Sequence, residues 1–245
     1  MAWAARAQGS ETWRLGVDAL IEDTGLAGRW KAGMARDLGL AAQWVRAPSG
    51  TILRQLESGE LPMGLFLSQP LADRLEQQGL IHDRHTLGRT RALLVGPTSD
   101  PAGLRGERDV VQALHQILAG QAAGVCHWQV APPDSALAGL NESLTSTLGA
   151  QKLTAKAPGN TATTVKALPP YQLLTQAEWQ KMPRDARRNL KVLIDQEPRL
   201  WLNCQVARSF KTPHPAGKLL VKWLQGPLGQ RAVTSPGSVW QISPR

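Results

Sequence analysis

The chain reads as an α/β protein built on a largely parallel sheet. Short apolar runs of strand length alternate with helical patterns from one end to the other, and parallel neighbours require such crossovers, so the alternation is the sequence form of βαβ units. Hydrophobic residues make up 42% and charged residues 19%, the balance of a globular chain rather than a disordered one. No apolar run approaches the ~20 residues needed to cross a bilayer, so no stable membrane insertion is expected. At 245 residues, one large domain or two lobes of ~100 residues each are both compatible with a core of ordinary size.

In chain order, strands are expected at 15–20, 42–47, 63–67, 92–96, 124–128, 171–175, 190–194 and 200–207, each an apolar run bounded by turn residues. Helices are expected at 26–37, 51–58, 70–78, 109–118, 135–148, 162–168 and 216–225. Several carry start signals. Ser49-Gly50 precedes Thr51, Asp134 or Ser135 can cap the helix that follows Pro132-Pro133, and Thr161 follows Gly159-Asn160. The run 92–96 stops at Gly96-Pro97 and is followed by the turn Asp100-Pro101-Ala102-Gly103. No internal repeat is visible.

Several segments carry a collinear likeness to a known family. They are Asp23-Thr24-Gly25-Leu26 after the first strand, Ser49-Gly50-Thr51 at a helix start, the strand 63–67 running to Pro70, and the stop at Gly96-Pro97. Late in the chain come Val192-Leu193-Ile194-Asp195-Gln196-Glu197-Pro198 and Trp223-Leu224-Gln225-Gly226-Pro227-Leu228-Gly229-Gln230. In this order and spacing, from about Trp13 onward, the chain resembles the tungstate-binding proteins, the extracytoplasmic solute receptors of tungstate and molybdate ABC importers.

The resemblance implies a two-lobed fold of the type II periplasmic-binding-protein kind with two crossing strands. Lobe I would comprise 13–90 and 209–245, and lobe II 91–208. Residues 1–12 would be a leader remnant or a disordered start; Ala5-Arg6-Ala7 has the small-x-small form of a signal-peptidase site, with no apolar segment ahead of it. The implied location is periplasmic, and the implied partners are a small ligand and an ABC permease, with the receptor acting as a monomer. Ligands in such folds sit beyond the carboxyl ends of the strands, so the loops around 17–24, 48–51, 68–70, 127–135, 157–161 and 175–179 should face the cleft.

The oxoanion chemistry of the family is largely replaced. Where its members present Thr-Thr-Thr-Ser after the first strand, this chain has Val17-Asp18-Ala19-Leu20. Donor hydroxyls give way to apolar groups and one carboxylate, which repels a dianion in a poorly solvated cleft. The family's Ser-Arg-Gly-Asp-Asp-Ser-Gly-Thr becomes Cys126-His127-Trp128-Gln129-Val130-Ala131-Pro132-Pro133-Asp134-Ser135, so the arginine that pairs with the oxoanion has no counterpart, His127 being the only basic side chain near that place. Thr-Asp-Arg-Gly-Thr-Tyr becomes Thr175-Gln176-Ala177-Glu178-Trp179. The candidate ligand contacts are therefore Asp18, Ser49, Thr51, His127, Trp128, Ser135 and Trp179. Ser49 is the best surviving match. Trp128 and Trp179 offer stacking surface to an organic ligand or else pack between lobe and loop, and Asp18 or Glu178 can meet a cationic group.

Other classes are disfavoured by what the chain lacks. The 28 Lys and Arg against 19 Asp and Glu give +9, yet the basic residues are spread without a run, and the basic and aromatic interleaving of a nucleic-acid module is missing. Cys126 beside His127 is no catalytic dyad, because strand neighbours point to opposite faces. His82 and His85 have no third ligand, and the fingerprints of hydrolases, P-loops and dinucleotide sites are missing, so no catalytic residue, metal or cofactor is expected. Cys126 and Cys204 permit one disulfide or two buried thiols. The receptor reading competes with a sensor or accessory protein on the same fold that binds a different small organic ligand or a protein partner.

Overall fold

The computed structural model describes residues 13–148 and 169–242. β1 (Arg14–Asp18) runs parallel to β2 (Gln43–Ala47) on one side and β3 (Met63–Leu67) on the other. A strand flanked on both sides and covered by helices has no wet face, which is why Leu15 and Val17 and the whole of β3 are buried. α1 (Ala19–Asp23) and α2 (Leu26–Leu38) connect β1 to β2, α3 (Ser49–Ser58) connects β2 to β3, and α4 (Pro70–Gln77) leads into β4 (Ile81–Pro97).

β4 joins the two halves of the molecule. From Ile81↔Ser209 to Arg91↔Trp201 it pairs antiparallel with β8 (Trp201–Ser209), which pairs antiparallel with β3 on its other side. From Ala92 onward β4 instead pairs with β6 (Tyr171–Thr175) and β7 (Leu190–Ile194). The path is β2-β1-β3-β8-β4-β6-β5, with β7 also on β4. α5 (Val110–Ala122), β5 (Trp128–Gln129) and α6 (Ala136–Thr147) build the second half, α7 (Gln176–Lys181) and α8 (Arg184–Arg187) follow β6, and a 3-10 turn at Pro198–Leu200 feeds β8. α9 (Pro215–Gln225) and α10 (Pro227–Gln230) return the chain to the first half. There the tail straps the crossing strand: Arg89 and Gln241 exchange backbone hydrogen bonds at 2.8 and 2.9 Å, and Trp240 Nε1 donates to Thr24 Oγ1 at 2.8 Å.

Three expectations are corrected. The sheet is mixed rather than largely parallel, since both crossing strands run antiparallel to their neighbours. The strand expected at 92–96 extends back to Ile81; its polar start, His82 to Thr86, is tolerated because only β8 flanks that end, and the pairing slips twice there, with Asp83 at φ +51°. The strand expected at 124–128 shrinks to Trp128–Gln129, because Gly124 adopts φ +71° and Val125 N turns back to Gly120 O to close α5. The helix expected at 162–168, the cap at Thr161, the cleft loop at 157–161 and the leader remnant at 1–12 lie outside the described residues. Cys126 and Cys204 are buried free thiols. No described helix is long and apolar enough to cross a membrane.

Gly96 marks a close approach at the centre of the second half. A Cβ there would lie 2.6 Å from Tyr171 Cε1 and 2.8 Å from Leu193 Cδ1. The Tyr171 ring cannot retreat, because its hydroxyl donates to Asp100 Oδ1 at 2.9 Å and accepts from Ala102 N at 3.0 Å. Gly96→Ala is expected to destabilise by about 1 to 3 kcal/mol through overpacking, read as a lowered urea midpoint at unchanged slope; an unchanged midpoint contradicts this packing.

Candidate functional site

The carboxyl ends of β1, β2 and β6 converge with the starts of α1, α6 and α7 on a cavity of about 250 Å³. Its lining is Asp18, Ala19, Leu20 and Asp23 after β1, Pro48 after β2, Ser135 to Leu137 at the start of α6, and Thr175, Ala177, Glu178 and Lys181 around α7. It therefore draws on both halves of the molecule. The apolar members outnumber the charged ones, and most of the polar groups are engaged with the protein itself.

Asp18 is the buried charge of the site, 4% exposed. Its Oδ1 accepts from Leu20 N at 2.8 Å and caps α1, while Oδ2 accepts from Ser49 Oγ at 2.6 Å. Ser49 Oγ in turn accepts from Leu67 N at 2.9 Å, so one hydrogen-bonded chain ties the ends of β1 and β3 to the start of α3. Burial pushes the Asp18 carboxyl up from its ordinary value, and the hydrogen bonds from Ser49 and Leu20 oppose that rise only in part.

Helix starts ordinarily leave N–H groups free to hold an anion. Here one N–H at each of three helix starts is engaged within the protein. Ser135 Oγ accepts from Ala138 N at 3.1 Å and donates to Pro132 O at 2.6 Å. Thr175 and Glu178 form a reciprocal capping box, with Thr175 N donating to Glu178 Oε2 at 2.7 Å and Glu178 N to Thr175 Oγ1 at 3.1 Å. At α3, Gly50 N donates to the Asp134 carbonyl at 2.9 Å, and Arg54 grips both oxygens of the Asp134 carboxylate, with Nη1 2.9 Å from Oδ1. Gln69 Nε2 adds a bond to Ser135 O at 2.9 Å. Asp134 sits in the left-handed region at φ +64°, and a Cβ at Gly50 would come within 3.0 Å of its side chain, so the fit at this seam depends on glycine. Arg54 holds the Asp134 carboxyl below its usual range.

The cations are also engaged. Lys181 Nζ donates to the Asp23 carbonyl at 2.9 Å, and Arg46 binds the Asp23 carboxylate, with Nη2 2.8 Å from Oδ2, and reaches Glu22 at 3.1 Å. Asp18 has no ion-pair partner among the described residues.

Of the seven residues singled out from the sequence, Asp18 and Ser135 line the cavity and Ser49 lies directly behind Asp18. Thr51 turns toward Asp134 at 3.5 Å. Trp128 is 5% exposed and belongs to the hydrophobic core, where its N–H donates to Gln121 Oε1 at 2.7 Å. His127 contributes its carbonyl to Tyr171 N at 2.8 Å, and the Trp179 ring lies under the Arg187 guanidinium at 5.6 Å; neither lines the cavity. Leu20, Leu137, Ala177 and Lys181 were not anticipated. The Thr175-x-x-Glu178 spacing was a readable cap signal, whereas nothing local links Arg54 to Asp134, 80 residues away.

The Arg54 and Asp134 side chains are half and one-third exposed, so their ion pair contributes at most about 1 kcal/mol, enough to change an open-to-closed ratio by roughly five-fold. Arg54→Ala is expected to raise the radius of gyration measured by small-angle scattering at neutral pH, with high salt moving the native protein the same way. Identical scattering from variant and native protein contradicts a clasp across this seam.

Comparisons with known proteins agree with this architecture. A periplasmic protein described as a candidate metal binder superposes with a TM-score of 0.77 at 17% identity, over 96% of this chain and 97% of that one. The tungstate-binding protein TupA from Desulfovibrio alaskensis G20 gives 0.69 at 18% identity, over 95% and 99%. The tungstate ABC transporter structure from Geobacter sulfurreducens gives 0.67 at 17% identity, over 91% and 98%. At such identities the likeness establishes the two-lobed fold. Among the described residues no group of three or more His, Cys, Asp or Glu side chains is placed to hold a metal. A search of curated proteins gives no significant match. The family model for bacterial extracellular solute-binding proteins matches residues 31–237, most of the chain, and the protein belongs to that family of binding proteins, which are not enzymes.

Proposed function

We propose that the protein is a periplasmic receptor that closes two lobes on a small solute and delivers it, as a monomer, to an ABC permease, and that the solute is neither tungstate nor molybdate. The family supports the receptor role. The proposed lobes are 13–91 with 201–242 and 92–200; the exchange of β4 from β8 to β6 and β7 after Arg91 supports the first boundary. The second is set earlier than the 208/209 boundary read from the sequence because β8 pairs along its length with β3 and β4.

The observation that carries the exclusion of tungstate is the Asp18 carboxylate in the cavity wall. A dianion beside it would face like charge in a poorly solvated place, and one N–H at each neighbouring helix start is already engaged, Leu20 N by Asp18, Ala138 N by Ser135, Glu178 N by Thr175 and Gly50 N by Asp134. Titration calorimetry with tungstate and molybdate at neutral pH is expected to give no saturable heat at micromolar concentrations. Submicromolar binding of either oxoanion overturns this reading.

A further inference from the structure

The geometry points to a small organic ammonium compound as the solute, its N–H groups donating to Asp18 and its hydrocarbon part lying against Leu20, Pro48, Leu137 and Ala177. The inference rests on the receptor reading and narrows it to one class of ligand. Four observations carry it.

The first is charge. Lys181 is turned to the Asp23 carbonyl, Arg46 is held by Asp23 and Glu22, and Glu178 Oε2 accepts from Thr175, so the positive groups nearest the cavity are already engaged. The hydrogen bonds to Asp18 come from neutral donors, Ser49 Oγ and the Leu20 and Ser49 amides, and Arg46, paired with Asp23 and Glu22, acts on it only at a distance. An incoming cation supplies the counter-charge that the protein withholds.

The second is lone-pair capacity. A carboxylate offers about four acceptor positions. The Ser49 hydroxyl and the Leu20 and Ser49 amides leave room for one ligand N–H on an atom that reaches the cavity surface. The third is size. At ~30 Å³ per water-sized group, a cavity of about 250 Å³ holds roughly eight non-hydrogen atoms. The fourth is polarity: the remaining wall is alanine, leucine and proline, suited to methylene groups rather than to a second hydrated ion. Burial raises the titration of Asp18, and a bound ammonium would lower it by favouring the ionised carboxyl.

The test is calorimetry and thermal shift on the full chain with n-butylammonium and pyrrolidinium, against 1-butanol and butyrate as neutral and anionic probes of matching size. Both ammonium ions are expected to bind saturably and raise the melting temperature, and butanol and butyrate to do neither. Asp18→Asn should weaken ammonium binding at least ten-fold. Should that variant fail to fold, the native protein gives the same information, because ammonium affinity should fall as pH drops through the Asp18 titration. A pH-independent affinity overturns the assignment. So does binding of butyrate or butanol with the ammonium ions silent, or silence of all four probes; these results leave the receptor reading standing. Tungstate binding at this cavity overturns the ammonium assignment and the exclusion of oxoanions, and leaves the receptor role standing.

Discussion

The site is organised around one buried carboxylate. Asp18 ends β1, caps α1 and receives Ser49 Oγ, and Ser49 receives Leu67 N, so three carboxyl-end loops of the first sheet are fixed to one another through two side chains. Removing a partner from such a network leaves a buried donor or acceptor unsatisfied at a cost of about 1 to 3 kcal/mol. The cavity floor is accordingly rigid, and its sign is negative.

The second half of the molecule completes the wall with helix starts whose capping side chains are already engaged. The starts of α6 and α7 are self-capped, and the start of α3 is filled by Asp134 from the opposite side of the cleft. That residue adopts a left-handed backbone to reach Gly50 and Arg54, a conformation that carries a steric cost for any residue with a side chain. The return is a carboxylate seated at a helix start beside an arginine, so the chain supplies its own anion at the place where such folds can hold an external one. Of the cations near the cavity, Arg46 is paired with Asp23 and Glu22, and Lys181 is turned to the Asp23 carbonyl.

Much of the fold was legible. Strands such as Met63–Leu67, Tyr171–Thr175 and Leu190–Ile194 are apolar runs cut off by Pro, Gln or Asp, and their ends coincide with the expected ones. The collinear segments supplied the two-lobed arrangement, which periodicity alone does not specify. The polar half of β4 was not legible, because a strand with one free edge needs no apolar alternation and its register is set by β8, more than 100 residues away. At the cavity, Asp18 and Ser135 had been singled out because they sit at strand-to-helix transitions, where position and chemistry coincide. For Trp128 the sequence left a ligand platform and a packing role open, and its side chain joins the core. The Arg54 and Asp134 contact had no sequence signal, being a property of how the halves meet.

The central claim is that the Asp18 carboxyl is desolvated and lacks a cationic partner of its own. With its folded-state titration raised above the unfolded value, the folded state holds the proton more tightly. The contribution of Asp18 to stability is then greatest below the ordinary carboxylate range near ~3.9 and declines as pH rises through the raised folded midpoint. The most direct measurement is a carbon-detected NMR titration of the Asp18 side-chain carboxyl in the ligand-free protein. A midpoint above the ordinary aspartate value supports a desolvated carboxyl with no cation in hydrogen-bonding contact, and a midpoint at or below that value contradicts it.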